Sequence, residues 1–176
     1  MEVTYKVFWT ALHGMALGAV FLLLFSGGVV AILNLGSVGL TPDATRRPLR
    51  RLAIASWCMA MFAWGAVILG TYCVYPWYRA TPPAGSTLTS YPKYLLLSRP
   101  QTAAWHGFGM EWKEHIAWLA PMLITAVAAV VTCHGRLLVR DARLRRVVLV
   151  LFTAAFFCAS VAGVCGALLN KAAPTR

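Results

Sequence analysis

The chain reads as an all-α integral membrane protein: four transmembrane helices bundled up-down-up-down, with a long aromatic-rich extracytoplasmic loop between the second and third. Three observations predict this. Of 176 residues, 60% are hydrophobic, against about 45–50% in a soluble domain. Four apolar runs, about 7–35, 52–75, 115–134 and 147–169, contain no Asp, Glu, Lys or Arg. Each approaches or exceeds the roughly 20 helical residues that cross a hydrocarbon layer about 30 Å thick. The arginines gather in two places, between runs one and two and between runs three and four. No composition shift or internal repeat divides the chain, so residues 1–176 are expected to form a single membrane domain.

The first run follows MEVTYK, which lacks a basic n-region and a small-residue cleavage site. It is therefore expected to stay as a helix rather than be removed as a signal. Gly14 and Gly18 stand four apart on it, a spacing that lets helices approach closely in lipid. The second run ends at Tyr75-Pro76-Trp77-Tyr78-Arg79. Proline fits poorly in a helix interior and Trp and Tyr favour the headgroup level, so this segment is expected to mark the outer boundary.

The connection 76–113 holds Pro82, Pro83, Pro92 and Pro100 among Tyr91, Tyr94, Trp105, Phe108 and Trp112. Loops this long are functional or disordered, and its aromatic content argues against disorder. It is expected to cap the bundle or dock a partner, with Leu95–Leu97 dipping into the interface. A helix is expected from about Thr102 into run three, weakened by Gly107 and Gly109. Pro121 should kink run three by losing the bond to the Ala117 carbonyl. His134 closes that run, where a histidine complements the helix dipole. Run four carries Ala159, Gly163 and Gly166 as a close-packing face and stops at Asn170-Lys171.

The net charge of +11 invites a nucleic-acid partner, but its distribution excludes one. Arg46, Arg47, Arg50 and Arg51 fall in one short loop, and Arg136, Arg140, Arg143, Arg145 and Arg146 in another. Both loops lie on one side of the bundle, and cytoplasmic loops collect Lys and Arg. Both termini are then extracytoplasmic, in a multi-pass protein of the cell membrane, with anionic lipid as the partner of the arginines. Cys58, Cys73, Cys133, Cys158 and Cys165 lie in or at the ends of apolar runs without a C-x-x-C pair. They read as small hydrophobes.

The chemistry gathers in histidines. His13, His106 and His115 all fall toward the extracytoplasmic end. An ionisable residue at membrane depth marks a functional site by default. Glu111 and His115 are four apart, as are His106 and Met110, so each pair shares a helix face. A carboxylate beside an imidazole suits a metal ligand or an oriented histidine. His13 lies about 9 Å inside run one at 1.5 Å per residue, with no charged neighbour in sequence. In an up-down-up-down bundle, runs one and three travel together. His13 and His115 then sit at comparable depth, where two imidazoles could ligate one tetrapyrrole iron.

Four spans with two such histidines resemble the layout of membrane four-helix b-type cytochromes. The resemblance implies a small membrane subunit of a redox complex that binds one haem b through His13 and His115. His106, Met110 and Glu111 would be quinone or alternative-ligand residues, and Arg79 or Arg99 would meet the haem propionates. Two alternatives stand beside it. One is a non-catalytic anchor subunit whose outer loop docks a partner protein, such as an extracytoplasmic redox protein. The other is a copper or iron site built from His106, Glu111, His115 and His13. Phosphate-cradling glycine loops, H-E-x-x-H and G-x-S-x-G are absent, and no acid sits at the centre of a run. Hydrolase and ion-path readings lose their usual support.

Overall fold

A computed structural model describes residues 4–37 and 41–174, which are mostly helical and contain no strand. Among the described residues, four helical rods are long and apolar enough to cross a membrane: Tyr5–Ser37, Pro42–Tyr78, Pro100–Arg140 and Ala142–Ala172. We call the first rod α1, the second α2 and the last α6. Between α2 and the third rod lies a short helix α3, Pro92–Leu97. The third rod is two helices, α4 (Pro100–Glu114) and α5 (Leu119–Arg140).

The rods are longer than the apolar runs because the arginines are helical. α2 begins at Pro42, with Thr41 Oγ1 accepting from the Ala44 amide at 3.3 Å and Asp43 in the first turn. Side-chain caps and early acids are strong start signals, and they override the expectation of a loop at Arg46–Arg51. At the other arginine cluster the expected loop shrinks to Asp141 between α5 and α6. Its carboxylate accepts from the amides of Arg143 (2.7 Å) and Leu144 (3.2 Å), so it caps α6. Arg145 turns inward and donates to the Leu138 and Val139 carbonyls at 2.8 and 2.9 Å. It thereby satisfies carbonyls at the end of α5 that have no helical partner.

Several sequence expectations move. The second rod ends at Tyr78, inside the expected boundary of Tyr75 to Arg79, and is not interrupted by Pro76. A π turn, Gly70–Val74, precedes it, and Pro76 falls in the first turn of the following α-helical piece, where a missing N–H is tolerated. Pro121 likewise lies in the first turn of α5 and makes no mid-helix kink. The break lies ahead of it, at His115 (φ −119°, ψ −56°) and the 3-10 turn Ile116–Trp118. The helix expected from about Thr102 starts at Pro100. His134 does not end its helix: α5 bends there (φ −122°, ψ 20°) and runs on to Arg140. Gly14 has no atom within 4 Å of a would-be Cβ, and Gly18 meets only its own helix, so that face is not a contact. Gly163 is open as well. Close approach occurs at Gly166, as expected for run four, and at Gly28, Gly70, Gly109 and Gly135.

The main core runs between α1, α2, α5 and α6 and includes Phe21, Leu52, Met59, Ile124, Leu138 and Phe152. The Phe152 ring lies over Gly28 and stacks on Phe25 with centroids 5.3 Å apart. Met15, Leu23, Met61, Val150, Phe157 and Val164 face outward, as apolar side chains do on helices surrounded by lipid. A second, smaller cluster joins Tyr78, Leu96, Met110, Leu169 and Ala173 at the end that carries the long connection. Thr102 Oγ1 donates to the Leu96 carbonyl at 2.6 Å and Trp112 Nε1 to the Cys158 carbonyl at 3.1 Å. These bonds tie α3 to α4 and α4 to α6, so the connection covers that end. We call it the loop end and the opposite one the arginine end. All five cysteines are free.

Candidate functional site

At the loop end the last turn of α2 faces α4. Tyr75 and Tyr78 are three apart on that turn, so both phenols reach the same side. The Tyr78 hydroxyl and His106 Nδ1 share a hydrogen bond, with the two rings stacked at 5.8 Å. Tyr75 donates to Glu114 Oε1 at 2.5 Å and accepts from Arg79 Nη1 at 3.0 Å. Arg79 also lies over the Tyr75 ring, 5.2 Å from its centroid. These residues, with Lys93, Met110 and Glu111, line a cleft of about 130 Å³. Tyr78 and Met110 are buried and form its floor; Arg79, Glu111 and Glu114 are exposed at its mouth.

The cleft gathers phenol, imidazole, carboxylate and guanidinium within one hydrogen-bonded patch. A phenol paired with an imidazole or a carboxylate can pass a proton to a bound group and take it back, which is the work of general acid–base pairs. The guanidinium at the mouth adds a fixed positive charge.

The remaining histidines have different settings. His13 lies in a π turn, Leu12–Gly18, and its Nδ1 is 2.6 Å from the Ala66 carbonyl of α2. Its ring fills the space left by Gly70, where a Cβ would come within 2.6 Å of Cε1. π turns are frequent at functional sites. His115, at the break between α4 and α5, has Nδ1 3.3 Å from Glu111 Oε2 and 3.2 Å from the Glu111 carbonyl. The i, i+4 spacing thus brings Glu111 and His115 together on the exposed surface. In both histidines Nδ1 faces an oxygen acceptor; the His13 ring, Nε2 included, packs at Gly70, and the His115 ring is exposed. Metal-ligating imidazoles are oriented by such a bond on the second nitrogen, so each is a donor of the right kind, although neither lines the cleft described above.

His106 and Met110 do not act as a pair: the imidazole turns to Tyr78 and Met110 packs into the apolar floor. Arg79 joins the cleft, whereas Arg99 sits before the first turn of α4 and is not among the residues lining it. Among the described residues, no three His, Cys, Asp or Glu side chains are grouped to hold a metal ion. Sequence reasoning passed over Tyr75, Tyr78, Glu114 and Lys113. The Tyr-x-x-Tyr spacing at the end of run two could have signalled the first two. Lys113 had no signal: its Nζ fills the gap at Gly166 of α6, 2.8 Å from where a Cβ would stand.

No family model matches the chain, and no curated protein or solved structure does either.

Proposed function

We propose that the chain is a membrane subunit of a redox complex and that its loop-end cleft handles a quinol headgroup. The observation that carries this reading is the presence of two proton-exchanging couples, Tyr78–His106 and Tyr75–Glu114, along one cleft. Oxidation of a quinol to the quinone releases two protons and two electrons. His106 and Glu114 accept the protons, and the electrons pass one at a time to two equivalents of a one-electron acceptor of the complex. The cleft, about 130 Å³, is smaller than the roughly 300–1,000 Å³ of sites that enclose a whole ligand. It takes the polar edge of the ring and leaves the apolar tail in lipid.

Haem b, if held by His13 and His115, would supply a one-electron acceptor inside this subunit. The first test is a reduced-minus-oxidised optical spectrum of the purified chain expressed with ample haem, together with calorimetric titration of a short-tailed quinol analogue. We expect one b-type signal, lost in His13→Ala and kept in His134→Ala, and quinol binding that needs His106. A folded, colourless protein that still binds the analogue would remove the haem and keep the cleft. A protein that binds neither would leave an anchor subunit. The exposed aromatics of α4, Trp105 and Phe108, are then the surface for a partner protein.

In this reading the arginine end faces the cytoplasm of a cell-membrane protein and both termini lie outside. The support is the gathering of Arg46, Arg47, Arg50, Arg51, Arg136, Arg140, Arg143, Arg145 and Arg146 at one end. Cys133 is exposed near that end. An impermeant maleimide, its site read by peptide mass spectrometry, is expected to modify Cys133 in inside-out vesicles and not in intact cells. The opposite pattern would reverse the orientation.

A further inference from the structure

At the arginine end, α2 and α5 part around a groove of about 380 Å³. Its apolar walls are Leu49, Ala53, Val131 and Leu137, and its polar lining is Arg50, Thr132, Cys133, His134 and Arg136. The bend of α5 at His134 lies along this groove. Beside it Gly135 lets Leu49 approach, a would-be Cβ being 3.2 Å from the leucine methyls. Trp57 lies one helical turn beyond Ala53. Its Nε1 donates to Thr132 Oγ1 at 3.0 Å, which ties α2 to α5 there.

The lining contains two guanidiniums and an imidazole and no acid. Arg50, His134 and Arg136 are all exposed. Leu137 is 52% exposed, and Ile54 and Trp57 continue the apolar surface along α2. An occupant must therefore be anionic at one end and apolar at the other. Basic pockets between transmembrane helices hold anionic lipid headgroups, and guanidinium binds phosphate oxygens in a bidentate manner. The arginines as a whole do not explain the groove. Arg145 is consumed by the Leu138 and Val139 carbonyls, and Arg46, Arg47 and Arg143 do not line it.

We propose that this groove is a specific site for one anionic phospholipid. Arg50 and Arg136 clasp the headgroup phosphate, and Leu49, Ala53, Val131 and Leu137 take the start of an acyl chain.

The test uses the full chain in nanodiscs of phosphatidylglycerol and phosphatidylcholine, with the lipid retained after transfer to detergent read by native mass spectrometry. We expect one phosphatidylglycerol retained in preference to phosphatidylcholine. Arg50→Gln/Arg136→Gln should reduce that preference by roughly tenfold or more, since each basic residue near a lipid surface contributes appreciably. Arg47→Gln/Arg143→Gln, which removes the same charge from the same end, should leave it intact. Circular dichroism reports whether each variant remains helical, and Leu137→Trp, which fills the apolar wall without touching charge, serves as a second probe expected to expel the lipid. Equal loss in the two arginine pairs, or no preference in the parent chain, would overturn the site in favour of diffuse surface charge. Displacement of the lipid by inorganic phosphate at equal concentration would overturn it in favour of a free-anion site.

Discussion

Replacing Phe152 by alanine is expected to lower the stability of the bundle by roughly 2–3 kcal/mol. The side chain is 1% exposed, stacks on Phe25 and lies over Gly28. Lipid tails are about as apolar as the core, so the transfer term that dominates such changes in water is small here. The cavity term remains. At about 24 cal/mol per Å³, over a side chain roughly 100 Å³ larger than alanine, it gives the stated loss. A coupled variant makes the prediction specific. Gly28→Val alone should destabilise, because a Cβ at that position runs into the Phe152 ring and overpacking costs about 1–3 kcal/mol. In Phe152→Ala the same valine has space to fill and should recover part of the loss. Steric-trap or mixed-micelle unfolding of the four proteins measures the coupling. Additive effects would mean that the two residues do not share the contact described.

The second large effect is expected at the cleft. His106→Gln should slow quinol oxidation in the assembled complex by about 100-fold or more, the usual contribution of a positioned acid–base group. Quinol binding should weaken less, by about tenfold, for a lost hydrogen bond of roughly 0.5–1.5 kcal/mol. Tyr78→Phe removes the phenol that orients His106 and should give an intermediate loss. Arg99→Gln, outside the cleft, should behave as the parent. Binding by calorimetry and turnover by quinol absorbance separate the two effects. Unchanged turnover in His106→Gln, with helicity kept, would remove His106 from the chemistry and with it the quinol reading.

Much of the fold was legible in the sequence because the signals behind it are local. Charge-free apolar runs of sufficient length report spans directly, since in lipid the backbone must satisfy its hydrogen bonds within each helix. The positions of the arginines reported one end of the bundle because a charged side chain at membrane depth is costly. Their conformation did not follow: Thr41 caps the helix that absorbs the first cluster, and the second is divided between the end of α5 and the helix that Asp141 caps. A polar loop and a polar helix end differ only in a few hydrogen bonds.

The candidate site was legible in part. The i, i+4 spacing of Glu111 and His115 is a property of one helix, and the structure brings the pair together. The partners of His106 and His13 lie across helices. Tyr78 is 28 residues from His106, and the Ala66 carbonyl is 53 from His13. No periodicity carries such separations. The glycines teach the same lesson from the other side. Gly14 and Gly18 have the spacing of a contact face and meet no other helix, while Gly70, without such a pattern, makes the space for His13. Hydropathy and run length, which act along one segment of chain, were enough to give four spans and the placement of the charge. Which faces meet, where α5 bends and which polar groups share a cleft depend on how separate helices pack side by side, and no single segment carries that information.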